Sequence, residues 1–142
     1  MAFQNPSEEA IRDLLKRTRT IAVVGLSTKP DRPSFGVARA MQGYGYKIIP
    51  VRPGVDEILG EPAVADLADL DEAVDIVDVF RAPEHVDGIV DTCIENGLKV
   101  LWLQEGVVNE AAAERARQAG MFVVMDRCIY KEYAALVDGE AD

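Results

Sequence analysis

The chain has 142 residues, 49% of them hydrophobic, and its 25 acidic and 15 basic side chains give a formal net charge of −10. This length suits one domain with a buried core. The negative charge argues against nucleic acid as a partner, because a phosphate backbone needs a basic surface. No apolar run approaches the roughly 20 residues of a membrane span, and no apolar signal-peptide core is evident. We therefore expect no membrane partner.

The two cysteines, Cys93 and Cys128, lack the C-x-x-C spacing of a zinc site. They are typical of small apolar side chains in a reduced protein, so we predict a cytoplasmic location. Arg127 would favour a reactive Cys128 thiolate, but no histidine partner is evident in the sequence. His85, the single histidine, is predicted to be exposed and without a catalytic partner. The acidic residues between 66 and 78 indicate a solvated edge, not a metal cage.

The first predicted element is a helix over about 5–18, with Asn5 as the cap and Pro6 in the first position. Five apolar runs then predict strands, at 21–24, 46–51, 75–80, 99–103 and 121–125. The segments between and after them predict helices, at about 34–42, 83–95, 110–119 and 130–136, and Asn109 is predicted to cap the helix at 110–119. Residues 56–73 give no clear element, although 63–68 suit a short extended piece followed by a helical turn.

Strands and helices alternate about every 25 residues, which is the pattern of a parallel sheet covered on both faces. We predict a single Rossmann-like domain over 1–142, three layers deep (α/β/α), with its core at about 20–136. Its five-stranded, mainly parallel sheet is expected to have the order 3-2-1-4-5. In such sheets ligands bind beyond the carboxyl ends of the strands, at the switch point beside strand one.

The loop after strand one has the composition of an anion site. A dinucleotide fingerprint requires G-x-G-x-x-G, but here the second glycine is replaced by Ser27. The hydroxyl and amide groups of this loop, together with Lys29 and Arg32, would still suit phosphate at the start of a helix. The alternative is purely structural, with Gly25 as a tight turn and Ser34 as a helix cap.

The loop after strand two carries Arg52, where NAD-binding domains usually place an acid. Arginine suits a phosphate on the ribose, as found in NADP and at the 3′ position of coenzyme A. A solvated surface arginine is the structural alternative. In the next loop Phe80 and Arg81 would flank an adenine or a phosphate, although Phe80 suits the core equally well. Trp102 is predicted to be a core residue.

In order and spacing, these motifs resemble the small stand-alone CoA-binding proteins, relatives of the nucleotide-binding domain of the succinyl-CoA synthetase alpha subunit. The resemblance spans about 11–133 and rests on the segments 24–27, 30–34, 45–51, 77–84, 102–106 and 125–128. It implies a Rossmann-like fold that binds coenzyme A. The first loop would hold phosphate and pantetheine groups, and the loop after strand two would lie near the ribose phosphate and adenine.

Two departures from the family pattern qualify this resemblance. Arg52 replaces an Asn that is frequent in the family, which keeps a donor and adds charge. The synthetase domain that carries the phosphorylated histidine has no counterpart, and His85 is not in an equivalent place. We therefore predict a binding or regulatory module for CoA or an acyl-CoA, not an enzyme, with a protein partner or homo-oligomer also compatible.

The predicted ligand-binding residues come from the loops that follow the strands: Gly25, Leu26, Ser27, Lys29, Pro30, Arg32, Ser34, Val51, Arg52, Pro53, Phe80, Arg81, Pro83, Gln104 and Gly106. Two alternatives remain open at this point. One is an NADP-binding reductase-like domain, which the missing glycine and the short chain disfavour. The other is a protein-interaction subunit that has kept the fold and lost the ligand.

Overall fold

The computed structural model describes residues 3–140, and side chains as far as residue 139. The helices and strands are α1 Glu8–Arg17, β1 Thr20–Val24, α2 Pro33–Gly43, β2 Lys47–Val51, β3 Glu57–Ile58, β4 Glu61–Pro62, β5 Ile76–Val79, α3 Val86–Glu95, β6 Val100–Leu103, α4 Glu110–Gln118, β7 Phe122–Met125 and α5 Ile129–Leu136. Short 3-10 turns lie at Leu67–Asp69, Pro83–His85 and Asp138–Glu140. Every predicted strand and helix is present, with its ends shifted by a few residues.

The main sheet has five parallel strands in the order β2-β1-β5-β6-β7. The predicted Rossmann-like α/β fold is therefore confirmed, but the predicted strand order is wrong. In the numbering of the predicted strands the order is 2-1-3-4-5, because the third predicted strand, β5, pairs with β1 on the side away from β2. The chain adds β2 on one side of β1 and then β5, β6 and β7 on the other side, which places the switch point between β1 and β5.

The position of β2 at the edge of the sheet explains this difference. Pro50 lies within β2 and has no N–H to donate, so it suits an edge strand. Within residues 3–140, the outer side of β2 is paired by Val64 alone: its N–H donates to Pro50 O, and its carbonyl accepts from Arg52 N. This isolated bridge covers the edge within the predicted 63–68 segment. The chain then returns to the other side of β1, so no further strand is added beyond β2.

Helices cover both faces of the sheet and bury its continuous apolar strands. One face packs against α1, α2 and α5, around the fully buried Trp102. The opposite face packs against α3 and α4, and it includes the buried Cys93 of α3. Trp102 is a core residue as predicted, and its indole Nε1 donates to Arg127 O at 2.8 Å. That hydrogen bond connects the end of β6 to the loop before α5.

The first helix begins later than predicted, at Glu8, and Ser7 is its cap because the Ser7 hydroxyl accepts from Ala10 N. Asn5 does not cap the helix. Instead its amide exchanges two hydrogen bonds with the Met125 backbone, at 2.9 and 2.7 Å. These bonds attach the segment before α1 to β7. The predicted Asn109 cap of α4 is confirmed by its bond from Ala112 N at 3.0 Å.

Within residues 3–140, none of the helices combines the length and the apolar character needed to cross a lipid bilayer.

Candidate functional site at the switch point

The loops after β1 and β5 meet at the switch point, and Gly25 permits their close approach. Gly25 has φ +85°, and a Cβ there would lie 2.6 Å from Phe80 O and 2.9 Å from Arg81 Cδ. Its N–H donates to Val51 O, and Phe80 N donates to Val24 O. Gly25 is therefore required for the turn and for the contact between two loops. The purely structural alternative, in which Gly25 only permits a tight turn, therefore does not describe this residue fully.

A cleft of about 440 Å³ lies over the start of α2, and we call it the cationic cleft. It is lined by Gly25, Ser27, Thr28, Lys29, Arg32, Pro33, Ser34, Arg52 and Phe80. The lining includes three cations, and none of them forms an ion pair with any residue in the part of the chain that the structure describes. No carboxylate is part of this lining. The cleft is thus a local concentration of positive charge in a chain with net charge −10.

Hydrogen bonds within the first loop hold its hydroxyl groups in the cationic cleft. Ser34 Oγ accepts from Ser27 N at 2.9 Å, and Ser27 Oγ accepts from Lys29 N at 3.0 Å. Both hydroxyl protons can still be donated to a ligand, because each bond uses only an acceptor lone pair. Ser34 is not the cap of α2, since Arg32 holds that position without a side-chain bond. The positive end of the helix dipole therefore faces the cleft without a capping side chain.

Arg52 is half-buried and its Nη1 donates to Leu26 O at 3.2 Å. The side chain is consequently held over the first loop, and the structural alternative of a freely solvated arginine does not describe it. The first and second loops thus contribute to one cationic cleft. This arrangement could not be read from the chain order, because Arg52 and Leu26 are 26 residues apart.

A second cavity of about 650 Å³ adjoins the cationic cleft, and we call it the apolar cavity. Its lining is Pro33, Val37, Phe80, Arg81, Ala82, Pro83, Gln104, Glu105, Gly106, Val107, Cys128, Tyr130 and Lys131. Phe80 and Pro33 line both spaces, so the two are neighbours across these residues. The charged residues of the apolar cavity, Arg81, Glu105 and Lys131, are exposed, and Lys131 Nζ pairs with Glu105 Oε1 at 2.8 Å.

A third and smaller cleft of about 300 Å³ opens on the other face of the sheet, beside α3. Val51, Pro53, Asp66, Arg81 and His85 are among its lining residues. His85 is exposed, as predicted from the sequence. Since Arg81 also lines the apolar cavity, it lies between the two spaces.

The structure brings nearly all of the predicted site residues to this end of the sheet. All of them except Leu26 and Pro30 also line at least one of the three spaces. Leu26 is fully buried and contributes its carbonyl to Arg52, while Pro30 is exposed. Phe80 is half-buried and lines two cavities, so it lies between the core and the candidate site.

Several residues that line the two larger spaces were not among the predicted ligand-binding residues, and Val37, Val107, Tyr130 and Lys131 are examples. Val37, on α2, is only partly buried and lines the apolar cavity. Tyr130 and Lys131, in the first turn of α5, also line this cavity. The preceding 125–128 segment carried part of the family resemblance, and the helix predicted shortly after it was the available signal. Cys128 is buried and lines the same cavity.

Asp78 was predicted to be part of a solvated acidic edge, but that prediction is wrong for this residue: Asp78 is a buried carboxyl group in the central strand β5 and lies outside these cavities. It is 1% exposed and in register with Val23 and Trp102. Its Oδ1 has no hydrogen-bond partner among the described residues. Burial raises the pKa of Asp78 well above its usual range, since no nearby cation offsets the desolvation. No group of three or more His, Cys, Asp or Glu side chains within 3–139 has the arrangement of a metal site.

A parallel α/β sheet with a cationic cleft at its switch point defines the Rossmann-like class of domain, whose ligands bind at this position. The family model described as "CoA binding domain" matches residues 19–134 of the chain. The chain belongs to this CoA-binding family, as the sequence predicted.

Individual proteins and solved structures are also similar to this chain. The Bacillus subtilis (strain 168) protein YneT is 47% identical over 132 residues, which are 93% of this chain and 98% of YneT. The solved structure of cell-free ID.343 from Thermus thermophilus has a TM-score of 0.88 and 36% identity, over 92% of this chain and 99% of that one. ADP-forming acetate–CoA ligase II of Archaeoglobus fulgidus is 28% identical over 91 residues, 63% of this chain but only 13% of the ligase.

Proposed function

We propose that this protein binds coenzyme A or an acyl-CoA at the carboxyl ends of the strands, as a single-domain binding or regulatory module in the cytoplasm. The observation that carries the proposal is the cationic cleft in a chain of the CoA-binding family. Lys29, Arg32 and Arg52 supply positive charge there, and the start of α2 adds its dipole. Together these groups suit the phosphates of CoA.

The non-catalytic part of the proposal is supported by what lines the cavities. Cys128 and His85, the two candidates for nucleophile or base, line different spaces on opposite faces of the sheet. The exposed His85 has no hydrogen bond from its side chain within the described range. A nucleophile and base within hydrogen-bond reach of one another would be the minimum for acyl transfer. The acetate–CoA ligase activity of a relative is therefore not assigned to this chain, which matches only 13% of that ligase.

An NADP-binding domain is the second candidate, because Arg52 lies in the cationic cleft and would also suit a 2′-phosphate. Calorimetric titration with CoA, dephospho-CoA and NADPH separates the two, after any carried-over ligand has been removed. CoA binding without NADPH binding supports the proposal. Binding of NADPH alone would overturn it in favour of a reductase-like domain. Absence of binding for all three ligands would favour a protein-interaction subunit.

Replacing Arg52 by glutamate is expected to weaken CoA binding about 10- to 100-fold, because a charge-assisted contact to phosphate is replaced by repulsion. If Arg52 meets the 3′-phosphate, dephospho-CoA should lose much less affinity. Titration of both ligands into both proteins measures the difference. Arg19→Glu is the matched control: the same charge change in an exposed residue just before β1, at the opposite end of the sheet. Equal losses for CoA and dephospho-CoA would contradict the assignment of Arg52 to that phosphate.

A further inference from the structure

The apolar cavity differs in chemistry from the cationic cleft that it adjoins. Its inner wall includes Val107 and Cys128, which are 8% exposed each, together with the partly buried Val37 and Phe80. Its volume of about 650 Å³ falls in the range of small-molecule sites. The phosphates of a ligand do not suit the apolar inner part of this wall, because an anion loses hydration there without gaining a charged partner.

Among the polar side chains that line this cavity, Gln104 is the buried one, since it is 4% exposed. Its Oε1 accepts from Ile129 N at 3.0 Å, which assigns Nε2 as the remaining donor of the amide. Nε2 has no hydrogen-bond partner among residues 3–139. Nε2 is also accessible to solvent. Among the described residues, Asp78 Oδ1 is the one fully buried side-chain N or O atom without a hydrogen-bond partner, so an unpartnered Nε2 is not fully buried. The buried amide therefore presents an unused N–H to the cavity that Gln104 lines.

From these contacts we infer that the apolar cavity binds the acyl end of an acyl-CoA, with a neutral aliphatic chain on its wall and the thioester carbonyl accepting from Gln104 Nε2. This inference rests on the proposed CoA function. The shared residues Phe80 and Pro33 place the cavity next to the cationic cleft, so one extended ligand can reach both. An unpaired buried donor gains more from a carbonyl than from an aliphatic group, whereas the surrounding wall favours CH₂ groups.

The charged residues of the cavity do not favour an acidic acyl group. Lys131 is paired with Glu105, which leaves Arg81 as the unpaired cation within the described lining. All three side chains are exposed, so they lie in solvent, where a single ionic contact contributes little. A terminal carboxylate would need to leave the apolar wall to reach them. The ligand class is therefore a neutral acyl-CoA in preference to a dicarboxylic one.

The first test is a titration series with CoA, acetyl-CoA, butyryl-CoA, hexanoyl-CoA and succinyl-CoA. Affinity is expected to rise by up to about fourfold for each added methylene group that is buried. Butyryl-CoA and succinyl-CoA have acyl chains of equal carbon number, so their comparison isolates the terminal carboxylate. Equal affinity across the neutral series, or tighter binding of succinyl-CoA than of butyryl-CoA, would overturn the inference. Failure of CoA itself to bind would instead overturn the proposed function.

The second test concerns Gln104 and uses S-butyl-CoA, a thioether that has no carbonyl. Gln104→Glu at pH 8 keeps an oxygen for Ile129 N–H and replaces the donor by an acceptor. Butyryl-CoA should bind this variant about tenfold more weakly, while S-butyl-CoA should change little. Equal losses for both ligands would assign Gln104 a structural role and contradict the carbonyl contact.

The third test fills the cavity without touching the cationic cleft. Val37→Phe should remove the gain from butyryl-CoA over CoA and leave the affinity for CoA itself close to that of the parent. Ile94→Phe, at an exposed apolar position on α3, is the matched control and should change neither value.

Alkylation of Cys128 is an independent readout, because butyryl-CoA should slow it more than CoA does, and the fully buried Cys93 is not expected to react. Equal protection by both ligands would count against acyl binding in this cavity.

Discussion

Replacing Asp78 by asparagine is expected to stabilise the protein above neutral pH. The Asp78 carboxyl is 1% exposed and its Oδ1 has no partner in the described part of the chain. Burial raises its pKa, so the folded chain holds this proton at pH values where the unfolded chain has already released it. The unfolded state then binds fewer protons, and stability falls as pH rises through the interval between the two pKa values.

The contribution of Asp78 to this fall is at most about 1.4 kcal/mol per pH unit. An asparagine amide cannot titrate, so the Asp78→Asn variant should lack this part of the pH dependence. Urea denaturation of parent and variant from pH 4 to pH 9 measures the difference, in which the titration of all other groups cancels. The advantage of Asp78→Asn should be greatest at high pH and shrink toward pH 4. Asp69→Asn, at an exposed position, is the control. Parallel curves for parent and Asp78→Asn would refute a raised pKa.

Replacing Gly25 by alanine is expected to cost at least about 2 kcal/mol of unfolding free energy, because two penalties combine at this residue. The positive φ of +85° is unfavourable for any side chain, and the new Cβ would lie 2.6 Å from the backbone oxygen of Phe80. Relief requires the loops after β1 and β5 to separate. Since Gly25 and Phe80 both line the cationic cleft, CoA affinity should fall as well.

Gly120→Ala provides the matched control for this substitution. Gly120 also has a positive φ, +96°, but nothing lies within 4 Å of a Cβ built there. Urea denaturation of the two variants therefore separates backbone strain from the collision with Phe80. Gly25→Ala should be the less stable of the two and the one with weakened CoA binding. A loss no greater than that of Gly120→Ala would show that the two loops can move apart at little cost.

The local elements of the fold were predictable because their signals are short in range. Asn109 was identified as a cap, and the apolar runs of the five strands are continuous since both faces of the sheet are covered. Asn5 was predicted to cap α1 by the same reasoning, yet its amide is used by Met125, 120 residues away. A helix cap bonds to residues that are close in the chain, so it can be predicted from the local sequence. A distant residue that competes for the same side chain cannot be recognised from the local sequence.

The strand order shows the same limit. A strand containing Pro50 fits an edge better than the interior, so the sequence carried a signal against order 3-2-1-4-5. The outcome depended on the 61–64 segment, which closes that edge with a single bridge at Val64. Such a short pairing is not specified by apolar periodicity, which predicts strands but not their neighbours.

The sequence by itself determined the fold class, the CoA-binding family and the strand-end loops of the candidate site, since each follows from local patterns and motif spacing. Only the tertiary structure decided the strand order, the convergence of Arg52 with the first loop, and the apolar cavity with the free donor of Gln104. The reason is physical: a cavity and a hydrogen bond are made by atoms that are adjacent in space. Their separation along the chain carries almost no information about that contact.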